Sequence, residues 1–326
     1  MIAMKFDIVS VPTFVEDDFK VARPKLEEIA NVETINAYDE GPLVERMKKA
    51  DGLLLLAHFP LTTKTISGMT KCKGIVKVAV GYDNVDLKAT GEKGIIVTNI
   101  PDYCVEDVAD HAIGFIICHA RKIPICDRSM RKGNFDWRVS RPVIRLKGKT
   151  LGIIGYGRIG RSVAIRGRAL GMNVLECDPY IRPGEERPVG AEAVDMDTLL
   201  SKSDMVTLHV NLTPETRHLI GEAQLRKMKK TAYLVNTCRG PVVDQEALYR
   251  ALTEGWIAGA SLDVFEKEPP DMTHKLLQLD NFVSTPHFAW YSEESLEEEV
   301  RKANEEMARI LKGERPRYQV NSQYMK

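Results

Sequence analysis

Three polar residues stand just past three successive apolar runs in the last third of the chain. Arg239 follows 232–236, Glu268 follows 260–265, and His287 follows 282–285. Each residue type suits a different step of one reaction. A guanidinium fork grips a carboxylate and polarises a neighbouring carbonyl oxygen. An imidazole gives that oxygen a proton as hydride reaches the carbon, and takes it back in reverse. A carboxylate on the other ring nitrogen orients the imidazole and favours its protonated form. Glu266 sits two residues before Glu268 and competes for that role, so the residues alone leave both open. Taken singly, Arg239 reads equally well as a surface ion-pair residue and Glu268 as a solvated one. Their shared placement at strand ends is what makes them a candidate acid–base set.

A hydride needs a carrier. Gly155-Tyr156-Gly157-Arg158-Ile159-Gly160 follows the apolar run 151–155 and opens a segment with helical spacing at Val163, Ala164 and Leu170. The first glycine allows the tight turn. The second lets backbone approach a pyrophosphate, and the third lets helix and strand pack closely. Such spacing alone is weak evidence, but strand and helix flank it on the expected sides. A second run, 173–177, ends at Asp178, 18 residues past Gly160. A carboxylate there accepts hydrogen bonds from ribose hydroxyls and repels a 2′-phosphate, which favours NAD over NADP. Arg182 would soften that preference.

These residues require a particular scaffold. Short apolar runs at 6–9, 53–57, 75–79 and 95–98 form one set of expected strands. Runs at 151–155, 173–177, 205–209, 232–236, 260–265 and 282–285 form another. Most are continuous rather than alternating, as in parallel strands covered on both faces. Strand–helix alternation then predicts an α/β fold: a doubly wound parallel sheet of Rossmann type, with a second α/β domain. The segment 105–121 repeats apolar residues at helical spacing and separates the two sets. A last long helix is expected over 293–311, with Ser292 as N-cap and Glu293 and Glu294 in its first turn. The polar tail after Gly313 reads as extended.

The composition excludes several functions. The 326 residues carry 46 Lys plus Arg and 46 Asp plus Glu, so nothing draws the chain to nucleic acid or anionic lipid. No apolar run approaches the ~20 residues a membrane helix needs. The six cysteines form no C-x-x-C pair and suit reduced thiols, which points to the cytoplasm. No cluster has metal-ligand spacing, so no metal is expected. Among the other histidines, His209 ends a strand beside the cofactor cleft, and His58 follows a strand of the first set. His111 and His119 lie on the separating helix, while His218 and His274 read as surface residues.

Several stretches together resemble the D-isomer-specific 2-hydroxyacid dehydrogenase family. They are Val80-Gly81-Tyr82-Asp83-Asn84-Val85-Asp86, Val105-Glu106-Asp107-Val108-Ala109-Asp110, the glycine loop with Asp178, Asn236-Thr237-Cys238-Arg239-Gly240, Leu262-Asp263-Val264-Phe265-Glu266-Lys267-Glu268-Pro269, and Thr285-Pro286-His287. The resemblance spans about residues 50–312. It implies a discontinuous, flavodoxin-like substrate domain of residues 1–103 and 288–326 around a cofactor domain of 104–287. It implies Arg239, Glu268 and His287 as the active site, choosing Glu268 over Glu266. It also implies main-chain N–H groups at Val80 and Gly81 for the substrate carboxylate and Asp263 for the nicotinamide carboxamide. Val105, Thr237 and Cys238 would lie against the nicotinamide. The implied activity interconverts a D-2-hydroxy acid and a 2-keto acid with NAD(H).

Within the family, residues 152–180 and 287–293 look closest to the C-terminal binding proteins, NAD-binding transcriptional corepressors. The short chain end after the last helix favours a metabolic enzyme over that alternative. Trp290 either lines the substrate pocket or packs between domains. Glu268 argues against a formate-type substrate, whereas phosphite or phosphoglycerate would also suit an Arg anchor. A homodimer is implied, with Gly133-Asn134-Phe135-Asp136-Trp137 as candidate interface.

Overall fold

Runs that are apolar on both faces become parallel strands here, because helices cover each sheet twice. The computed structural model describes residues 5–12, 24–56, 59–180 and 190–325. The chain divides into two compact units, Met1–Cys104 with Ser292–Lys326, and Val105–Tyr291.

The first unit holds β1 (Phe6–Val11), β2 (Ala30–Thr34), β3 (Gly52–Leu55), β4 (Gly74–Lys77) and β5 (Ile96–Thr98). Every pairing is parallel and the order is β2-β1-β3-β4-β5. That is the flavodoxin-type order. The edge strand β2 escapes the sequence pattern because only Ala30 on it is buried. The tail after Gly313 is not simply extended in solvent. Asn321 is fully buried, accepts from the Val97 N–H at 3.0 Å and donates to the Ile95 carbonyl at 2.8 Å, so it covers the open edge of β5.

The second unit holds β6 (Thr150–Ile154), β7 (Asn173–Cys177), β8 (Glu192–Ala193), β9 (Met205–Leu208), β10 (Tyr233–Asn236), β11 (Gly259–Leu262) and β12 (Phe282–Ser284). All run parallel in the order β12-β11-β10-β9-β6-β7-β8. The chain therefore leaves β6 toward β7 on one side and returns to β9 on the other. A ligand cleft opens at such a switch of direction, beyond the carboxyl ends of the strands. The helix Val105–Arg121 buries Ala109, Ala112, Ile113 and Ile116 against Val163 and Ala164 of the helix that follows the glycine loop. The unit extends to Tyr291, past the expected limit at 287, because the Asp263 carboxylate accepts from the N–H groups of Phe288 and Ala289.

The long helix Glu293–Leu311 opens as expected. Ser292 Oγ accepts from Ser295 N and Ser295 Oγ from Ser292 N, a reciprocal cap. The helix carries Glu299 into the interior of the first unit, where its Oε2 has no hydrogen-bond partner among the described residues. Desolvation outweighs a Tyr103 hydrogen bond and the Lys77 charge, and pushes the Glu299 carboxyl up to about 8. The unfolded chain releases this proton near its ordinary 4.5, the folded chain only near 8. This group's contribution to stability is therefore complete below pH 4.5 and falls away as pH rises through 8. Glu299→Gln should change the melting temperature little at pH 4.5 and raise it progressively toward pH 8.5, as read by scanning calorimetry. A gain of equal size at both pH values would contradict a buried neutral acid.

Candidate active site

Neighbouring strand ends deliver the three chemical side chains to one edge of the second sheet. Arg239 leaves β10, Glu268 leaves β11 and His287 leaves β12. His287 Nδ1 lies 2.6 Å from Glu268 Oε2. The other carboxylate oxygen, Oε1, accepts from the Phe265 N–H at 2.8 Å, which anchors the glutamate to its own loop. Glu266 is taken elsewhere: its Oε1 pairs with His218 Nε2 at 3.1 Å and accepts from Gln245 N at 3.2 Å. Geometry thus selects Glu268 as the imidazole's partner.

Asn236 shapes the turn that carries Arg239. Its Oδ1 accepts from Cys238 N and Cys238 Sγ, both at 3.0 Å, and its Nδ2 donates to the Arg239 carbonyl at 2.9 Å. Gly240 must lack a side chain, because a Cβ there would come within 1.9 Å of the Phe265 main chain. The two loops bearing Arg239 and Glu268 are therefore packed backbone to backbone.

His287 adopts a left-handed conformation with φ 53°. Its N–H donates to the Asp263 carbonyl at 2.7 Å. Asp263 is buried, and its carboxylate also accepts from Thr285 Oγ1 at 2.5 Å, Phe288 N at 3.0 Å and Ala289 N at 2.9 Å. His111 Nε2 lies 3.0 Å from the same Thr285 hydroxyl. Burial lowers the His111 pKa, opposed by a smaller pull from the Asp263 charge.

The glycine loop has the geometry its spacing implies. Gly155 has φ 90°, and a Cβ on it would meet the His209 carbonyl at 2.4 Å. A Cβ on Gly160 would meet the Gly155 carbonyl at 2.1 Å. At Gly157, by contrast, a Cβ would meet nothing within 4 Å. Gly157 is the N-cap of the helix Arg158–Ala169 and brings no side chain to cap its first turn. The N–H groups of that turn thus face a cradle that any other residue would begin to fill. Asp178 closes one end: its Oδ2 accepts from Tyr156 N at 2.7 Å and its Oδ1 from Tyr180 N at 2.9 Å.

Residues 113–289 match the sequence signature of the D-isomer specific 2-hydroxyacid dehydrogenase NAD binding domain. The chain belongs to this dehydrogenase family. It is 44% identical over 298 residues to a glyoxylate reductase of Korarchaeum cryptofilum, covering 88% of this chain and 89% of that protein. It is 42% identical over 307 residues to a D-3-phosphoglycerate dehydrogenase of Methanocaldococcus jannaschii, covering 94% of this chain and 57% of that protein. Among solved structures, the Aquifex aeolicus D-lactate dehydrogenase complexed with NAD and lactic acid superposes with a TM-score of 0.85 at 33% identity. That match covers 94% of this chain and 96% of the other.

This member of the 2-hydroxyacid dehydrogenases is an NAD-dependent enzyme, and its loop residues fit the dinucleotide. Besides the cradle at Gly157, two buried polar atoms, Thr237 Oγ1 and His209 Nδ1, have no hydrogen-bond partner among the described residues. Buried polar atoms left in this state call for a ligand or water. Burial lowers the His209 pKa to about 3, so its ring is neutral, with Nε2 2.9 Å from Thr207 Oγ1.

Other expected residues fall differently. Tyr156 was expected at the cofactor, but its ring is fully buried beside Val163 and Ala164, so only its main chain belongs to the loop. Arg158 is exposed and Ile159 half-buried in the helix's first turn, and Val105 begins the helix Val105–Arg121. In the first unit, Val80 and Gly81 follow β4, half-buried, with the Val80 carbonyl accepting from Asn99 Nδ2 at 2.6 Å. His58 and Arg182 lie outside the described residues. The sequence pattern missed Asn236, Thr285 and His111. Asn236 and Thr285 stand at strand ends inside the stretches that resemble the family, and His111 lies on the helix that packs on the sheet, but nothing in the residue pattern gave any of them a role. Trp290, left open between two readings, donates its indole N–H to the His287 carbonyl at 3.0 Å.

Asp178→Ala should raise the ratio of kcat/KM with NADPH to that with NADH by about 10-fold or more, since it removes the charge that opposes a 2′-phosphate. Steady-state kinetics with both cofactors reads this directly. An unchanged ratio would show that selectivity resides elsewhere.

Proposed function

We propose that this dehydrogenase reduces a small 2-keto acid of the glyoxylate type to its 2-hydroxy acid, with His287 as the acid. The observation that carries this reading is the 2.6 Å pairing of His287 Nδ1 with Glu268 Oε2 at the ends of neighbouring strands. With Nδ1 engaged, proton exchange with substrate falls to Nε2. Glu268 orients the ring through its contact with Nδ1. Arg239 anchors the substrate carboxylate and polarises the carbonyl. NAD(H), when bound, supplies or accepts the hydride. Asp178 takes the ribose hydroxyls, the first turn after Gly157 takes the pyrophosphate, and Asp263, Thr237, Cys238 and Val105 serve the nicotinamide end. Main-chain N–H groups at Val80 and Gly81 are assigned to the substrate carboxylate on the family pattern.

The glyoxylate reductase relative, matched over 89% of its length, supports a short substrate. Phosphoglycerate is the second reading, favoured by the 42% identity to a dehydrogenase of that name. The relatives named above are metabolic enzymes, so a corepressor role is not favoured. Six free thiols suit a reducing, cytoplasmic setting. Among the described residues, no helix is long and apolar enough to cross a membrane.

His287→Gln should lower kcat for glyoxylate and NADH by about 10²–10⁴-fold. Retained turnover would sink the acid–base role. Faster oxidation of D-3-phosphoglycerate with NAD than reduction of glyoxylate with NADH would select the second reading.

A homodimer is proposed through the region after the separating helix. The helix Ile123–Arg131 has no buried residue, and Phe135 and Trp137 are 93% and 68% exposed. Such a patch of large apolar side chains calls for a partner surface. Phe135→Asp with Trp137→Asp should halve the mass seen by light scattering. A wild-type monomer would reject the interface.

A further inference from the structure

We infer that Trp290 is a positioning residue that acts through His287: its indole N–H holds the main chain of the acid–base residue. This rests on the acid–base reading of His287 given above. His287 has φ 53°, a left-handed conformation that L side chains adopt reluctantly. A residue stays there only when its surroundings over-determine it. Two hydrogen bonds clamp the two sides of this one residue. Its N–H is tied to the Asp263 carbonyl at the end of β11, and its C=O accepts from Trp290 Nε1 at 3.0 Å. Between them, the Asp263 carboxylate takes the N–H groups of Phe288 and Ala289, and Tyr291 N donates to the Phe288 carbonyl at 2.9 Å. The segment from His287 to Tyr291 is thus a closed loop whose last link back to His287 is the indole.

The consequence lies at the imidazole. A φ change at residue 287 swings the ring as a lever, and the Nδ1–Glu268 distance of 2.6 Å tolerates little swing. The Trp290 indole N–H bonds the His287 carbonyl, so it sets where the ring points through the main chain. The half-buried indole also stands edge-on to Tyr291, with ring centroids 5.5 Å apart, which fixes its own plane. An Ala or Ser at 290 could not make the bond, because neither carries a donor at that reach.

The test is a double-mutant cycle with glyoxylate and NADH. Trp290→Phe keeps an aromatic ring and removes the donor. It should lower kcat by about 5- to 10-fold, the worth of one hydrogen bond, with KM for NADH unchanged. The loss should fall on kcat, with KM for glyoxylate likewise unchanged, because the bond sets where the imidazole points and not how substrate binds. In a His287→Gln background, Trp290→Phe should cost nothing further, since the group it positions is gone. An equal loss in both backgrounds, or wild-type kcat in Trp290→Phe, would overturn the inference and leave the indole a packing residue. A fully active His287→Gln enzyme is a different result: it would overturn the acid–base reading itself, and this inference with it.

Discussion

The site of this dehydrogenase depends on one buried carboxylate. Asp263 sits at the end of β11, 1% exposed, where a charge is tolerated only if hydrogen bonds surround it. It finds them in Thr285 Oγ1, Phe288 N and Ala289 N, all on the segment that leaves β12. Satisfying Asp263 therefore requires that segment to curl back over β11. The curl forces His287 into positive φ and lays its side chain beside Glu268. The His287–Glu268 pair is a by-product of solving the burial of a third residue.

The same economy appears at the glycine loop. Gly155 and Gly160 are required by close approach of main chain to main chain, at the His209 carbonyl and at the Gly155 carbonyl respectively. Gly157 is required by nothing in the protein itself, since a Cβ there would meet no neighbour within 4 Å. A glycine without a packing reason, at the uncapped start of a helix, is explained by what the loop must admit. Asp178 then joins the loop to the end of β7 through Tyr156 N, so the residue proposed to take the ribose hydroxyls also stiffens the turn.

Much of the fold was legible because buried parallel strands announce themselves as unbroken apolar runs. Ten of these runs became strands close to their expected limits, and the helices at 105–121 and 293–311 start and stop where their caps and periodicity place them. What escaped was marginal in burial. β2 buries one residue, β8 none, and the helix Ile123–Arg131 none, so none of them carries a core pattern to read. Tyr156 belongs to the loop through its main chain, and what its motif position did not reveal is that its ring packs into the core. The tail was misread because its one buried polar residue, Asn321, bonds to main chain of β5 more than 220 residues away.

The sequence by itself determined that three chemical side chains emerge at the ends of neighbouring strands, with a dinucleotide loop on the same sheet edge. Period and spacing are local properties, and the expectation of parallel strands follows from them. Residue type and spacing left open which carboxylate partners His287; the family resemblance chose Glu268, and the tertiary structure supplies the physical reason. Glu266 and Glu268 are chemically identical and two residues apart, and the reason lies in the contacts of His218 and Gln245 with one and of Phe265 N with the other. It likewise settled what the Trp290 indole N–H bonds, because that depends on a backbone conformation at residue 287 that no residue type or spacing encodes.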